Sequence, residues 1–128
     1  MTADLRDSLS LHANALMLHE RRSAILATNI ANAATPGFKA RDMDFNAELA
    51  RLTGQGEMAA PAVGHFTSGR TMAGELGYRE AATPAFDGNT VDSAVEQVQF
   101  AENTLRQQAS LTLLGRRISG LMAAIRGE

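Results

Sequence analysis

The sequence predicts an all-α chain whose two long terminal helices, over residues 4–32 and 89–126, form an antiparallel hairpin in a coiled-coil-like layer. Between them lies an irregular glycine-rich insert with room for a short β-hairpin. Three observations carry this reading. No proline or glycine interrupts residues 4–32, apolar residues recur there and after residue 90 at helical spacing, and residues 53–88 hold seven of the eleven glycines and two of the three prolines. At 128 residues the chain fits a single domain, 1–128, with residues 33–88 as turn, extended segment and insert.

In the N-terminal helix Leu5, Leu9, Ala13, Leu16, Ala24, Ala27 and Ala31 form one stripe, with Glu20 interrupting it. Leu11, Leu18 and Ile25 form a second line that one partner helix leaves uncovered. The helix stops before Pro36, which lacks an amide hydrogen and disfavours helical geometry at Thr35. Pro36-Gly37 suits the centre of a type II turn, and Phe38, Ala40, Met43 and Phe45 suggest an extended segment beyond it.

The glycine-rich stretch argues against a sustained helix, while Val63, Phe66, Met72, Leu76, Tyr78 and Phe86 argue against a purely disordered linker. Asn89 and Thr90 then offer side-chain caps, and Asp92 and Glu96 suit the positive end of a second helix. Val91, Val95, Val98, Leu105, Ala109 and Thr112 make one stripe of it, and Leu111, Leu114, Ile118, Leu121 and Ile125 another. Gly115 and Gly120 weaken a helix interior, so they point to close backbone approach, to local bending or to tolerance by strong packing.

Composition excludes several classes. Twelve Lys+Arg against fourteen Asp+Glu leave a net charge of -2, without the basic footprint of a nucleic-acid binder. Eleven of the cations are arginine, which favours forked contacts to carboxylates. Without cysteine there is neither disulfide nor thiolate metal site. Neither a cleavable secretion signal nor a membrane span of roughly 20 apolar residues is expected.

Residues Thr28-Asn29-Ile30-Ala31-Asn32-Ala33 followed by Thr35-Pro36-Gly37-Phe38 resemble the N-terminal signature of the flagellar rod and hook axial proteins. Lys39-Ala40-Arg41-Asp42-Met43-Asp44-Phe45 narrows the resemblance to the proximal rod members. Asp87-Gly88-Asn89-Thr90-Val91-Asp92, Phe100-Ala101-Glu102-Asn103, Leu105-Arg106, Gln108-Ala109-Ser110-Leu111 and the ending Gly120-Leu121-Met122-Ala123-Ala124-Ile125-Arg126-Gly127 are similar to that family in order and spacing. Ala34 and Phe38 depart from it, where aspartate and tyrosine are frequent. The resemblance implies a structural subunit of the proximal rod that polymerises through its terminal helices into a torque-transmitting drive shaft housing the export channel. It also implies export without cleavage and a place in the basal body within the periplasm. The partners it implies are copies of the chain, other rod proteins and base or export-gate proteins; no nucleic acid, direct membrane span, small-molecule ligand or cofactor is expected.

Subunit-interface candidates are Leu9, Leu16, Asn29, Ile30, Asn32, Pro36, Gly37, Phe38, Arg41, Asp42, Phe45, Val95, Val98, Leu105, Leu111, Leu114, Ile118, Leu121 and Ile125. Catalytic and metal residues are not expected. His12 and His19 share a face and His19-Glu20 begins a zinc-protease-like pattern, but Ser23 stands where its second histidine belongs, leaving interface or surface histidines. Asp42 and Asp44 read as carboxylates that are solvated or meet arginines across an interface, rather than a calcium site. Asn29 and Asn32 read either as helix-end residues or as polar registration against another helix. Arg116-Arg117 reads as a solvated pair, and Ser8, Ser10 and Ser23 form no nucleophile pattern. Two alternative functions are a helical phosphotransfer module carrying phosphate on His19 or His12, and an export adaptor that stays outside the filament. Against the first, no lysine-glycine pair follows either histidine.

Overall fold

A computed structural model describes residues 2–54, 76–80 and 85–127, with side chains from residue 9 onward in the first helix. Helix α1, Thr2–Ala31, and helix α3, Ser93–Arg126, flank strand β1 (Arg41–Met43), helix α2 (Phe45–Leu52) and strand β2 (Leu76–Tyr78). Asn29 meets Glu96, Arg22 meets Gln99 and His19 meets Asn103, so positions fall along α1 as they rise along α3. The long helices are therefore antiparallel, as the sequence predicts.

Around Asn32, α1 ends in tightened turns, with the Asn32 amide shared between the carbonyls of Thr28 at 3.2 Å and Asn29 at 3.1 Å. The Phe38 amide then closes on the Thr35 carbonyl at 3.3 Å, and Gly37 has φ +73°. Pro36 and Gly37 thus hold the central positions of the turn, where a type II geometry requires positive φ second.

Asn89 and Thr90 do not cap α3. The Asn89 Nδ2 group donates to the carbonyls of Asn32, Ala33 and Thr35 at 3.1, 2.9 and 3.0 Å, closing the end of α1 instead. Thr90 Oγ1 accepts from the Ala40 amide at 2.8 Å. The cap of α3 is Asp92, whose carboxylate accepts from the amides of Ala94 and Val95, so the helix begins at Ser93 rather than 89.

Residues 45–52, expected within the irregular insert, form α2 because Asp44 caps them: its carboxylate accepts from the Ala47 amide at 3.0 Å. A β-pair is present, but it joins distant segments antiparallel, Arg41 with Tyr78, Asp42 with Gly77 and Met43 with Leu76. Val63, Phe66 and Met72 lie outside the described residues.

Among the described residues the buried apolar side chains are Leu18 and Leu26 of α1, with Ala40 and Met43 beside them. The side chains that α3 buries are polar, Glu96 at 1% exposure and Asn103 at 0%. The line of Leu11, Leu18 and Ile25, expected to stay uncovered by one partner helix, instead supplies the buried Leu18, whereas Ala13, Ala24, Ala27 and Ala31 of the other expected stripe are exposed.

Candidate functional site

The two faces of α3 do different work, and helical geometry separates them. Val98 and Leu105 follow Glu96 and Asn103 by two positions each, so they lie roughly 200° away around the helix. Accordingly Val95, Val98 and Leu105 are exposed, at 40, 66 and 75%, where an isolated subunit leaves them in water. With Ala94 and Gln99, Val95 and Val98 line a shallow open groove. Further along, Leu111, Ile118 and Ile125 are exposed while Leu114 and Leu121 are half-buried.

On the inner side, polar groups register the helices. Asn103 Nδ2 donates to the His19 carbonyl and to Ser23 Oγ, both at 2.8 Å, which leaves its Oδ1 as acceptor for His19 Nδ1–H at 2.8 Å. The His19 ring stacks on Phe45 with centroids 4.4 Å apart, tying α2 into the same contact. His19 is 5% exposed, so it is neither a surface histidine nor open to a phosphate donor.

Toward the turn, Arg22 forks onto Asp42, Nε to Oδ1 at 3.0 Å and Nη2 to Oδ2 at 2.9 Å, and Nη2 also reaches Gln99 Oε1 at 2.9 Å. Arg79 bridges onward from Asp42 Oδ2 to Glu96 Oε1, the latter at 2.7 Å. Asn29 Nδ2 donates to Glu96 Oε2 at 3.1 Å and to the Arg41 carbonyl at 2.7 Å. Burial pushes the Asp42 carboxyl up, but hydrogen bonds from Arg22, the Met43 amide and Arg79 outweigh it and hold the group below the usual carboxylate range. Arg22 is raised in turn, first by its bond to Asp42. Asp42, expected to be solvated or to meet arginines across an interface, instead meets Arg22 and Arg79 of its own chain.

Together these groups form a continuous network of hydrogen bonds and ion pairs. Every buried side-chain nitrogen and oxygen among the described residues has a partner, and no cluster of three metal-ligating side chains occurs among them. None of the described helices is long and apolar enough to cross a membrane.

Residues 9–39 match the sequence model of the family described as flagella basal body rod protein. A flagellar basal body rod protein FlgB of Cereibacter sphaeroides is 60% identical over 124 residues, covering 96% of this chain and 97% of that protein. The chain belongs to the FlgB family. FlgB proteins of Escherichia coli K12 and Salmonella typhimurium LT2 are 40 and 39% identical, over 95 and 94% of both chains in each pair.

In this FlgB family member the interface candidates separate into groups. Asn29 is buried and Asp42 half-buried within the subunit's own network, and Phe45 packs on His19. Leu9, Leu16, Ile30, Asn32 and Phe38 are half-buried, and Asn32 Nδ2 turns back to the Thr28 carbonyl. Pro36, Gly37 and Arg41 are exposed, Arg41 lying over the Tyr78 ring at 5.3 Å. Asp44 is the α2 cap rather than part of a carboxylate pair with Asp42. Sequence reasoning missed Arg22, Arg79 and Asn103 as members of the network. For Asn103 the signal was the polar heptad step from Glu96 to Asn103, beside the apolar stripe.

Proposed function

We propose that this chain is a structural subunit of the proximal rod, polymerising through its terminal helices to form the shaft that transmits torque and surrounds the export channel. The observation that carries the reading is the placement of Val98 and Leu105 on the side of α3 away from α1, with Val95 on its flank and polar Glu96 and Asn103 turned inward. Fully burying a Val or Leu contributes about 1.5–3 kcal/mol, so covering this stripe with neighbouring helices outweighs exposed ion pairs, worth about 0–1 kcal/mol each. Family membership supplies the rod; the stripe supplies the means of association.

In this reading the subunit travels uncleaved through the flagellar export apparatus and assembles in the periplasm with other rod proteins, its own copies and the base. Its work is mechanical, so it needs shared interfaces rather than a pocket. Electron cryo-microscopy of detergent-extracted basal bodies tests it: density for paired α1 and α3 in the lowest rod layer, with Val98 and Leu105 against another subunit, is expected. A complete rod lacking this chain rejects the reading and favours the adaptor.

A further inference from the structure

The polar contacts at the head of the hairpin form a closed ring. From Arg22 on α1 it passes to Asp42 on β1, to Arg79 just after β2, to Glu96 on α3, to Asn29 on α1, and returns through Arg41 to β1. Each helix supplies part of it, and the sheet holds the remainder. The ring closes only where Asn29 stands opposite Glu96. Sliding α3 by one heptad moves Glu96 by about 10 Å, well beyond hydrogen-bond reach.

Apolar stripes tolerate such slippage, whereas a buried polar pair does not, since misalignment leaves a charge without a partner. Glu96 is 1% exposed and both of its carboxylate oxygens are engaged, Oε1 by Arg79 and Oε2 by Asn29. The same carboxylate therefore reads helix alignment on one side and sheet position on the other.

We infer that this ring is a register sensor, making the docking of the β1–β2 sheet conditional on correct alignment of α1 with α3. Helix pairing comes first and the sheet follows. A slipped hairpin leaves Asp42 and Arg79 without their helical partners, so the β1–β2 pair stays undocked. Only a correctly registered subunit presents that pair in a fixed position. The inference goes beyond the rod assignment and does not rest on it, because the ring lies within one chain.

Amide hydrogen exchange of the full chain, free in solution, tests the order of dependence. In Asp42→Asn, exchange at the Arg79 amide, which donates to Ala40, and at Gly77 is expected to quicken by about tenfold or more, the scale of one lost buried contact. Mid-helix amides of α1 and α3 are expected to change by less than about twofold. Leu26→Asp, which disrupts helix pairing at a fully buried position, is expected to release both sheet and helices. Sheet protection surviving in Leu26→Asp overturns the inference, as does equal loss from helices and sheet in Asp42→Asn.

Discussion

The carboxamide of Asn29 stands where a third strand would, donating to the Arg41 carbonyl at 2.7 Å and accepting from the Arg41 amide at 3.1 Å. The Arg79 amide bonds the Ala40 carbonyl, so alternate residues of β1 turn toward β2 while Arg41 turns away. A helix side chain thereby seals one edge of a two-stranded sheet.

Replacing Asn29 by alanine leaves both Arg41 backbone groups and one Glu96 oxygen without this partner. We expect the variant to lose roughly 2–4 kcal/mol, from about 1–3 kcal/mol per unmet buried group with partial rescue by water. Urea unfolding followed by circular dichroism measures it. Asn29→Asp should fare no better, because a carboxylate cannot donate to the Arg41 carbonyl and adds negative charge beside Glu96.

Asp42 makes part of the stability depend on pH. Its carboxyl is held below its unfolded value of about 3.9, so the folded chain binds fewer protons there. The stabilisation is present above that unfolded value and is lost as pH falls through the lower, folded one. Wild type should therefore exceed Asp42→Asn in stability at pH 7, with the gap closing as pH drops below about 4. A gap that stays constant down to pH 2 would contradict the electrostatic account.

Leu26 and Leu105 separate folding from association. Leu26 is 0% exposed, and truncation to alanine should cost the free subunit about 2–5 kcal/mol. Leu105 is 75% exposed, so Leu105→Ala should stay within about 0.5 kcal/mol in the same experiment. In cells lacking the native copy, the second variant should nonetheless yield fewer extracted rods at equal protein level. Normal rod yield from Leu105→Asp would remove this stripe from the assembly interface.

The helices and the turn were legible because their signals are local: a proline-free run, a Pro-Gly pair, heptad-spaced apolar residues. The antiparallel pairing followed from a long insert between them. What was not legible is that the inward contacts of α3 are polar. Val98 and Leu105 face outward, and Glu96 and Asn103 do the inward packing, because polar groups at these positions fix the alignment of α1 and α3. The short helix α2 is hidden for another reason, since eight residues give little periodicity and Asp44 reads from sequence as a carboxylate that is solvated or meets arginines across an interface instead of a cap. Nor could Asn89 be assigned to α1 from sequence, when the carbonyls it closes lie more than fifty positions away.

Two glycines should respond with opposite sign to the same substitution. Gly37 sits at φ +73° with open space where a Cβ would point, so Gly37→Ala meets no clash but strains the backbone. The left-handed conformation costs an L-residue about 1–2 kcal/mol, and the free subunit should lose that much. Gly115 lies inside α3, also with nothing within 4 Å of an added Cβ. Gly115→Ala should therefore raise stability, by up to about 1 kcal/mol, through better helix propensity. Thermal unfolding of the two variants beside wild type checks both signs. The close approach that glycine permits is not used inside the subunit at Gly115, so rod yield from the stabilised variant carries the remaining information. A stabler chain that assembles poorly assigns Gly115 to contact with a neighbour, whereas unchanged assembly shows that packing on either side simply tolerates it.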